Sequence, residues 1–190
     1  MDSIKKPNKS ELEFLTLSYN RFYDIYDEIF DEDFWILDEW YRFSVISQGF
    51  LIYSELLNYE PIMYSVEKLR TSRPPMEYDI GKFLFKFVRN LLSHFPYFTS
   101  WDEIKFNKNI INWNKTDGSI DRFISKYEGH SEVKYRFWEE EKKRMTYISI
   151  NFPKTYGSDD IYLKDLIEEK SGAQFSYILM KEILNTQVID

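Results

Sequence analysis

Cysteine is absent from all 190 residues of the chain, which excludes disulfides, thiolate nucleophiles and Cys-ligated zinc or iron–sulfur sites. The chain therefore reads as cytoplasmic. Glycine and proline are scarce, at six each; a β-sandwich needs many more tight reversals, so long regular elements are expected. No window approaches the roughly 18 uncharged apolar residues of a membrane span. Nor does the N-terminal Met1-Asp2-Ser3-Ile4-Lys5-Lys6 lead into the apolar core of a signal peptide. Positive charge is in deficit too: the formal net charge is -7 and the pI about 5.0. That balance opposes non-specific nucleic-acid binding through a global field, so any polyanion must meet a local basic patch. There is no Gly-rich phosphate loop, no Gly-x-Ser-x-Gly elbow and no His-Glu-x-x-His pair, which leaves kinases, hydrolases and zinc proteases without support.

What the chain has in abundance is rings. Aromatic residues make up 19% of it, with 16 Phe and 15 Tyr, and hydrophobic residues 43%. That apolar content cannot stay in water and implies a packed core. Ser10 and Glu13 fit a capping box, and Leu12, Leu15, Tyr19, Phe22, Tyr23, Tyr26 and Ile29 follow at helical spacing. Asp31-Glu32-Asp33 marks a break or a new start, since carboxylates suit the positive end of a helix dipole. Residues 34 to about 58 have no proline and one glycine, and Ile36, Leu37, Trp40, Phe43, Ile46, Phe50, Leu51 and Leu57 keep the same period. A long second helix is expected there. A shorter helical stretch, Ile62 to Leu69, meets Pro74-Pro75, whose rings force an extended connector.

The expected fold is a mainly α helical bundle forming one domain over residues 1–190, with 100–155 a less regular or hairpin insertion. Ile104 to Trp113 reads as a strand or an irregular excursion, and Ser119 to Tyr127 as a short helix ended by Gly129. Val133, Tyr135 and Phe137 alternate with Lys134, Arg136 and Trp138, and a second alternation spans Tyr147 to Phe152. A hairpin satisfies this period of two, while one helix through 131–147 satisfies the run of good helix formers. Asp165 to Lys170 and Ala173 to Val188 complete the chain as helical segments.

Met76 to Phe95 is the segment that carries chemistry. On a wheel of roughly 100° per residue, Leu84, Phe87, Val88, Leu91 and Phe95 form one arc, and Lys82, Lys86, Arg89, Asn90 and Ser93 the opposite one. Lys82, Lys86, Asn90 and His94 stand at four-residue steps, a basic row in an acidic protein. Arginine grips phosphate with a planar fork, imidazole moves protons near neutral pH, and an amide orients either. Arg89 and His94, five apart, lie roughly 140° apart around the axis, so one helix does not bring both onto one phosphate. Two subunits packed about a two-fold axis would.

Arg89-Asn90-x-x-x-His94 near the end of a long helix resembles the arginine, polar residue, histidine signature of the HEPN (higher eukaryotes and prokaryotes nucleotide-binding) superfamily, in its bacterial form with four residues between arginine and histidine. The resemblance implies an all-α, usually dimeric bundle and a metal-independent endoribonuclease of toxin–antitoxin or antiphage systems, working on RNA without a cofactor and held by an antitoxin protein. In that reading Arg89, Asn90 and His94 are catalytic: His94 assists attack of the ribose 2′-hydroxyl, Arg89 stabilises the phosphorane and Asn90 supports the site. Lys82, Lys86 and Ser93 would contact the RNA. Members modified by a partner nucleotidyltransferase carry a tyrosine two residues after the histidine, whereas Pro96 stands there in this chain. The alternative is a non-catalytic HEPN-like module that binds RNA, a nucleotide or a protein. Arg89 would then pair with a surface carboxylate, and His94 would stabilise the helix end.

Other polar groups read more plainly. His130, between Gly129 and Ser131, is a turn residue or a second acid–base group. Asp102-Glu103 offers carboxylates to a metal but fits better as the cap of a helix or turn after Ser100; with two histidines and no cysteine, no metal site is expected. Glu139-Glu140-Glu141-Lys142-Lys143-Arg144 is a solvated face whose basic half is placed to touch RNA. The aromatic residues suit base stacking as well as core formation, with the core the stronger reading for the first 60 residues.

Overall fold

The computed structural model describes residues 6–59, 62, 73–94, 97–107, 119–130, 133–139, 142–155 and 159–185. Helix α1 (Lys9–Phe30) is capped by Asn8, whose side-chain oxygen accepts from Glu11 N at 2.9 Å while the Glu11 carboxylate accepts from Asn8 N at 2.7 Å. The capping box thus lies two residues earlier than Ser10 and Glu13: asparagine caps as well as serine does, and Glu11 already fills the third helical position. Leu15, Phe22, Ile25 and Ile29 are buried, whereas Leu12 is exposed.

The second helix does not begin at Phe34. Asp31 accepts from Asp33 N and opens a 3-10 turn (Glu32–Ile36), and Asp38 then accepts from the backbone of Trp40 and Tyr41 to start α2 (Glu39–Leu56). Two aspartates that each offer an oxygen to nearby amides compete with a continuous helix and win. In consequence Ile36, Leu37 and Trp40, expected on the inner stripe, face outward, as does Leu51. Helix α2 returns antiparallel along α1: Arg21 donates to Gln48 at 2.7 Å, and Tyr41 to Glu28 at 2.8 Å near the turn.

Three segments then follow without a break: α3 (Pro75–Asp79), a π-helical turn (Ile80–Leu84) and α4 (Phe85–His94). Pro75 suits a first helical position because its missing N–H has no partner there anyway. Of the expected Ile62 to Leu69 helix only Ile62 is described, and it is buried. Helix α4 packs on α2, with Tyr53 edge-on to Phe85 at 5.9 Å between centroids.

The second half carries the β structure. Beyond a 3-10 turn (Trp101–Glu103), β1 (Lys105–Asn107) pairs antiparallel with β4 (Asp160–Tyr162), and residues 108–113 of the expected 104–113 segment lie outside the described residues. Helix α5 (Ser119–Tyr127) ends before Gly129, whose φ of 80° is a left-handed position that glycine adopts freely. Of the two readings of 131–147 the hairpin holds. β2 (Val133–Glu139) pairs antiparallel with β3 (Arg144–Ile150), and Val133, Tyr135, Phe137, Ile148 and Ile150 face the core. The period of two outweighs helix propensity because burying these five side chains is worth more than a few tenths of a kcal/mol per residue (~0.5) of intrinsic preference.

A short helix, α6 (Leu163–Leu166), precedes α7 (Glu169–Asn185), so the last helical segments are split at 167–168 rather than at 171–172. The residues of the expected helix beyond Asn185 lie outside those described. Helix α7 is the centre of the core. Tyr177 stacks on Phe22 at 5.7 Å and donates its hydroxyl to the Ile46 carbonyl at 2.8 Å. Arg42 holds the start of α7 through a two-pronged contact to Glu169, at 2.7 and 3.3 Å. The chain is mainly α, with two small antiparallel pairs of strands among the described residues.

Candidate functional site

Helix α4 is two-faced. Phe85, Phe87, Val88, Leu91 and Leu92 are buried, a wider arc than the wheel gave because Phe85 and Leu92 also turn inward. The π turn explains part of this. Phe85 N bonds back to Ile80 O across five residues, so the phase of the helix changes between Lys82 and Lys86. The four-residue row is therefore continuous only within α4, through positions 86, 90 and 94. Lys82 stands apart, bonded to the Tyr78 hydroxyl at 2.9 Å with its ammonium 5.2 Å from that ring's centroid.

At the polar corner of α4, Arg89 bends toward Asn90. Nη2 and Nε of Arg89 both donate to the Asn90 side-chain oxygen, at 2.9 and 3.3 Å. A guanidinium has donors only, so this contact fixes which way the amide points. Both residues are half-buried and Lys86 is exposed. Positions 90 and 94 are four apart and follow one another along one row of the helix. By reaching to Asn90, Arg89 turns its charge toward the row that contains position 94, across part of the angle that separates residues 89 and 94 on an ideal wheel. His94 is the last residue of α4.

Ser93 goes elsewhere. Its hydroxyl shares a 2.7 Å hydrogen bond with the Ser54 hydroxyl of α2, so it ties α4 to the core pair of helices instead of lying along the basic row. His130 is exposed in the turn after α5, its ring 5.7 Å from that of Tyr127, far in sequence from α4. Asp102 pairs with Lys164 at 3.3 Å, and Glu103 accepts from the backbone and side chain of Thr99, which hold its carboxyl below the usual range. Ser100 makes no capping bond. Among the described residues no group of three His, Asp or Glu side chains is placed to hold a metal ion.

A charged chain that sequence reading missed runs beside α3. Arg73 donates through one nitrogen to both Glu182 oxygens at 2.8 Å and through another to Glu77 at 3.3 Å, and Glu77 also meets Arg136 at 2.8 Å. The Arg73 guanidinium lies 4.9 Å from the Tyr135 ring centroid. Burial raises the Glu182 carboxyl above its ordinary value and Arg73 opposes that shift. Arg73, just before α3, Glu77 of α3 and Tyr135 of β2 line a water-sized cavity together with Leu179 and Ile183 of α7. The arrangement of the charged groups is that of an ionic tie between the helices and the hairpin; no local spacing signals it, because Arg73 and Glu182 are 109 residues apart.

Comparison with family models, with characterised proteins and with solved structures finds no match to this chain.

Proposed function

We propose that the chain is a metal-independent endoribonuclease of the HEPN type whose site is assembled from two copies of α4, with Arg89 and His94 acting on the phosphodiester and Asn90 supporting them by positioning Arg89. The observation that carries this reading is the Arg89–Asn90 contact, in which the amide oxygen draws the guanidinium toward the row of position 94. A half-buried, oriented arginine is a better partner for a developing phosphorane than a freely rotating one, since little rotamer entropy is left to lose. Exposed Lys86, one turn before Asn90 on the same row, adds positive charge for the RNA backbone. Lys82 remains available to that role only near the Tyr78 end of the helix, and Ser93 acts through the α2–α4 contact.

In the reaction His94 removes the proton of a ribose 2′-hydroxyl, the 2′-oxygen attacks the adjacent phosphorus, and the 5′-oxygen of the next nucleotide leaves and takes up a proton. Arg89 neutralises the charge that accumulates on the non-bridging oxygens. The products are a 2′,3′-cyclic phosphate and a 5′-hydroxyl end. Two copies of the row, brought together about a two-fold axis, supply the second set of donors that a single helix does not, and an antitoxin protein would act by covering this face.

The test is cleavage of a mixed-sequence RNA in excess EDTA, with the ends of the fragments identified. Cyclic-phosphate ends from the wild-type protein and none from His94→Ala support the proposal. Intact RNA with the wild-type protein, or 3′-hydroxyl ends, overturns it and favours the non-catalytic module.

A further inference from the structure

The hairpin has a second face that the catalytic proposal does not use. Strand alternation that buries Tyr135 and Phe137 against the core turns Lys134, Arg136 and Trp138 outward on β2, and the antiparallel register sets Ser149, Tyr147 and Met145 opposite them. Trp138 is 51% exposed, Tyr147 57% and Met145 44%. Such large apolar side chains are seldom left together in water on a two-stranded ribbon without a use. Trp138 stands directly opposite Met145 and diagonally from Tyr147, a separation of about 7–8 Å on a pleated face. Two rings so spaced offer flat surfaces to successive groups of an extended ligand.

The charge around these rings differs in sign from the rest of the protein. From Val133 to Ile150 the sequence has five cations and three glutamates, a net +2 in a chain of net charge -7. Lys134 is exposed on the same face, and Arg136 is tied on one side to Glu77. Beyond Trp138, Lys142 and Arg144 both lean on Glu139, at 2.8 and 3.4 Å, in a turn sequence, 139–144, that has three charges of each sign. The sequence also puts Glu140 and Glu141 between the two strands, outside the described residues.

We infer that the outer face of β2–β3 is a stacking platform for single-stranded RNA, in which Trp138 and Tyr147 take successive bases and Lys134 and Arg144 take the flanking phosphates. Stacking asks for exposed rings and no particular base, and cations flanking the rings suit a backbone that runs past them. An acidic peptide would use the cations and leave the rings idle. Duplex RNA would be held by its backbone, with its bases already stacked on each other. The inference rests on RNA being the ligand of this protein, and it deepens that reading by naming where the strand lies away from the catalytic row.

The experiment is fluorescence anisotropy with a labelled single-stranded RNA of about a dozen nucleotides on the full chain, for wild type, Trp138→Ala, Trp138→Phe, Tyr147→Ala and Arg89→Ala, with cleavage followed in parallel. All four substitutions are at positions at least partly open to solvent, and circular dichroism checks the fold. The inference expects Trp138→Ala and Tyr147→Ala each to weaken binding at least about fivefold, Trp138→Phe to retain most of it, and duplex RNA to bind more weakly than single-stranded. Binding unchanged by the ring substitutions overturns it even if RNA is cleaved, which would leave the catalytic proposal standing. Weakened binding without any cleavage supports the platform and counts against the catalytic proposal. No binding of RNA by the wild-type chain, or equal binding of polyglutamate, overturns the platform.

Discussion

The Asn90 side-chain oxygen accepts two hydrogen bonds from the Arg89 guanidinium, at 2.9 and 3.3 Å. Neighbouring residues on a helix point about 100° apart, so this contact requires Arg89 to fold sideways along the surface of α4. Asn90→Ala removes the acceptor that draws the Arg89 guanidinium toward the row of position 94. Asn90 is a positioning residue: cleavage should fall roughly tenfold to a hundredfold, while the melting temperature falls by only about a few degrees, because one half-buried contact between helix neighbours contributes little net stability. Unchanged cleavage, or a loss matched by unfolding, would show that the contact has no part in positioning.

Gly49 is required by contact, not by turn geometry. A Cβ there would lie 1.8 Å from the Tyr177 hydroxyl oxygen and 2.6 Å from its ring carbon, inside any tolerable separation. Gly49→Ala therefore has to push Tyr177 away from its bond to the Ile46 carbonyl. Overpacking together with a lost buried hydrogen bond gives an expected destabilisation of about 2–4 kcal/mol. Denaturant melts should also show partial rescue when Tyr177→Phe is added, since the phenyl ring lacks the oxygen but keeps the nearby carbon.

A second close approach makes an independent prediction. A Cβ on Gly172 would stand 2.2 Å from the Trp101 ring, which is buried and donates to the Ile167 carbonyl at 3.0 Å. Gly172→Ala is expected to cost about 1–3 kcal/mol and to shift the tryptophan fluorescence as the indole moves. Thermal denaturation with an emission spectrum checks both effects together.

The Glu182 carboxyl is raised chiefly by burial, with Arg73 acting against the shift. A folded-state pKa above the unfolded one means that the native protein binds the proton more readily. Stability from this group is then fully present below the unfolded pKa and is lost as pH rises through the folded pKa. Relative to Glu182→Gln, which has no such titration, the wild-type protein should therefore lose ground between about pH 4 and pH 7. Urea midpoints for the two proteins at both ends of that range measure the difference, and a gap that moves the other way would contradict the assignment.

The helices were legible wherever local chemistry decided them. The end of α5 followed from Gly129, a left-handed residue just past its last turn. The strands β2 and β3 were legible as a period of two, though a run of helix formers left a helix open as well. What was illegible depended on distant partners. The exposed Ile36 and Trp40 look like core residues until Asp31 and Asp38 are seen to end one element and begin another. The π turn at Ile80–Leu84 broke the four-residue row between Lys82 and Lys86, and no spacing in the sequence announces it. Ser93 looked like part of a polar surface because its partner, Ser54, is on another helix. A basic row on one helix and the resemblance of its Arg-Asn-x-x-x-His spacing to a known signature brought out the candidate group Arg89, Asn90 and His94. The bend of Arg89 toward Asn90 required coordinates.

The central claim is that Arg89 and His94 act directly on a phosphodiester, and single-turnover cleavage of RNA in excess EDTA tests it most directly. With enzyme in excess over a labelled strand, the wild-type chain should cleave, and Arg89→Ala and His94→Ala should each be slower by at least about a hundredfold while keeping the helical content and melting temperature of the wild type. Equal rates for the three proteins, or no cleavage by any of them, would contradict it.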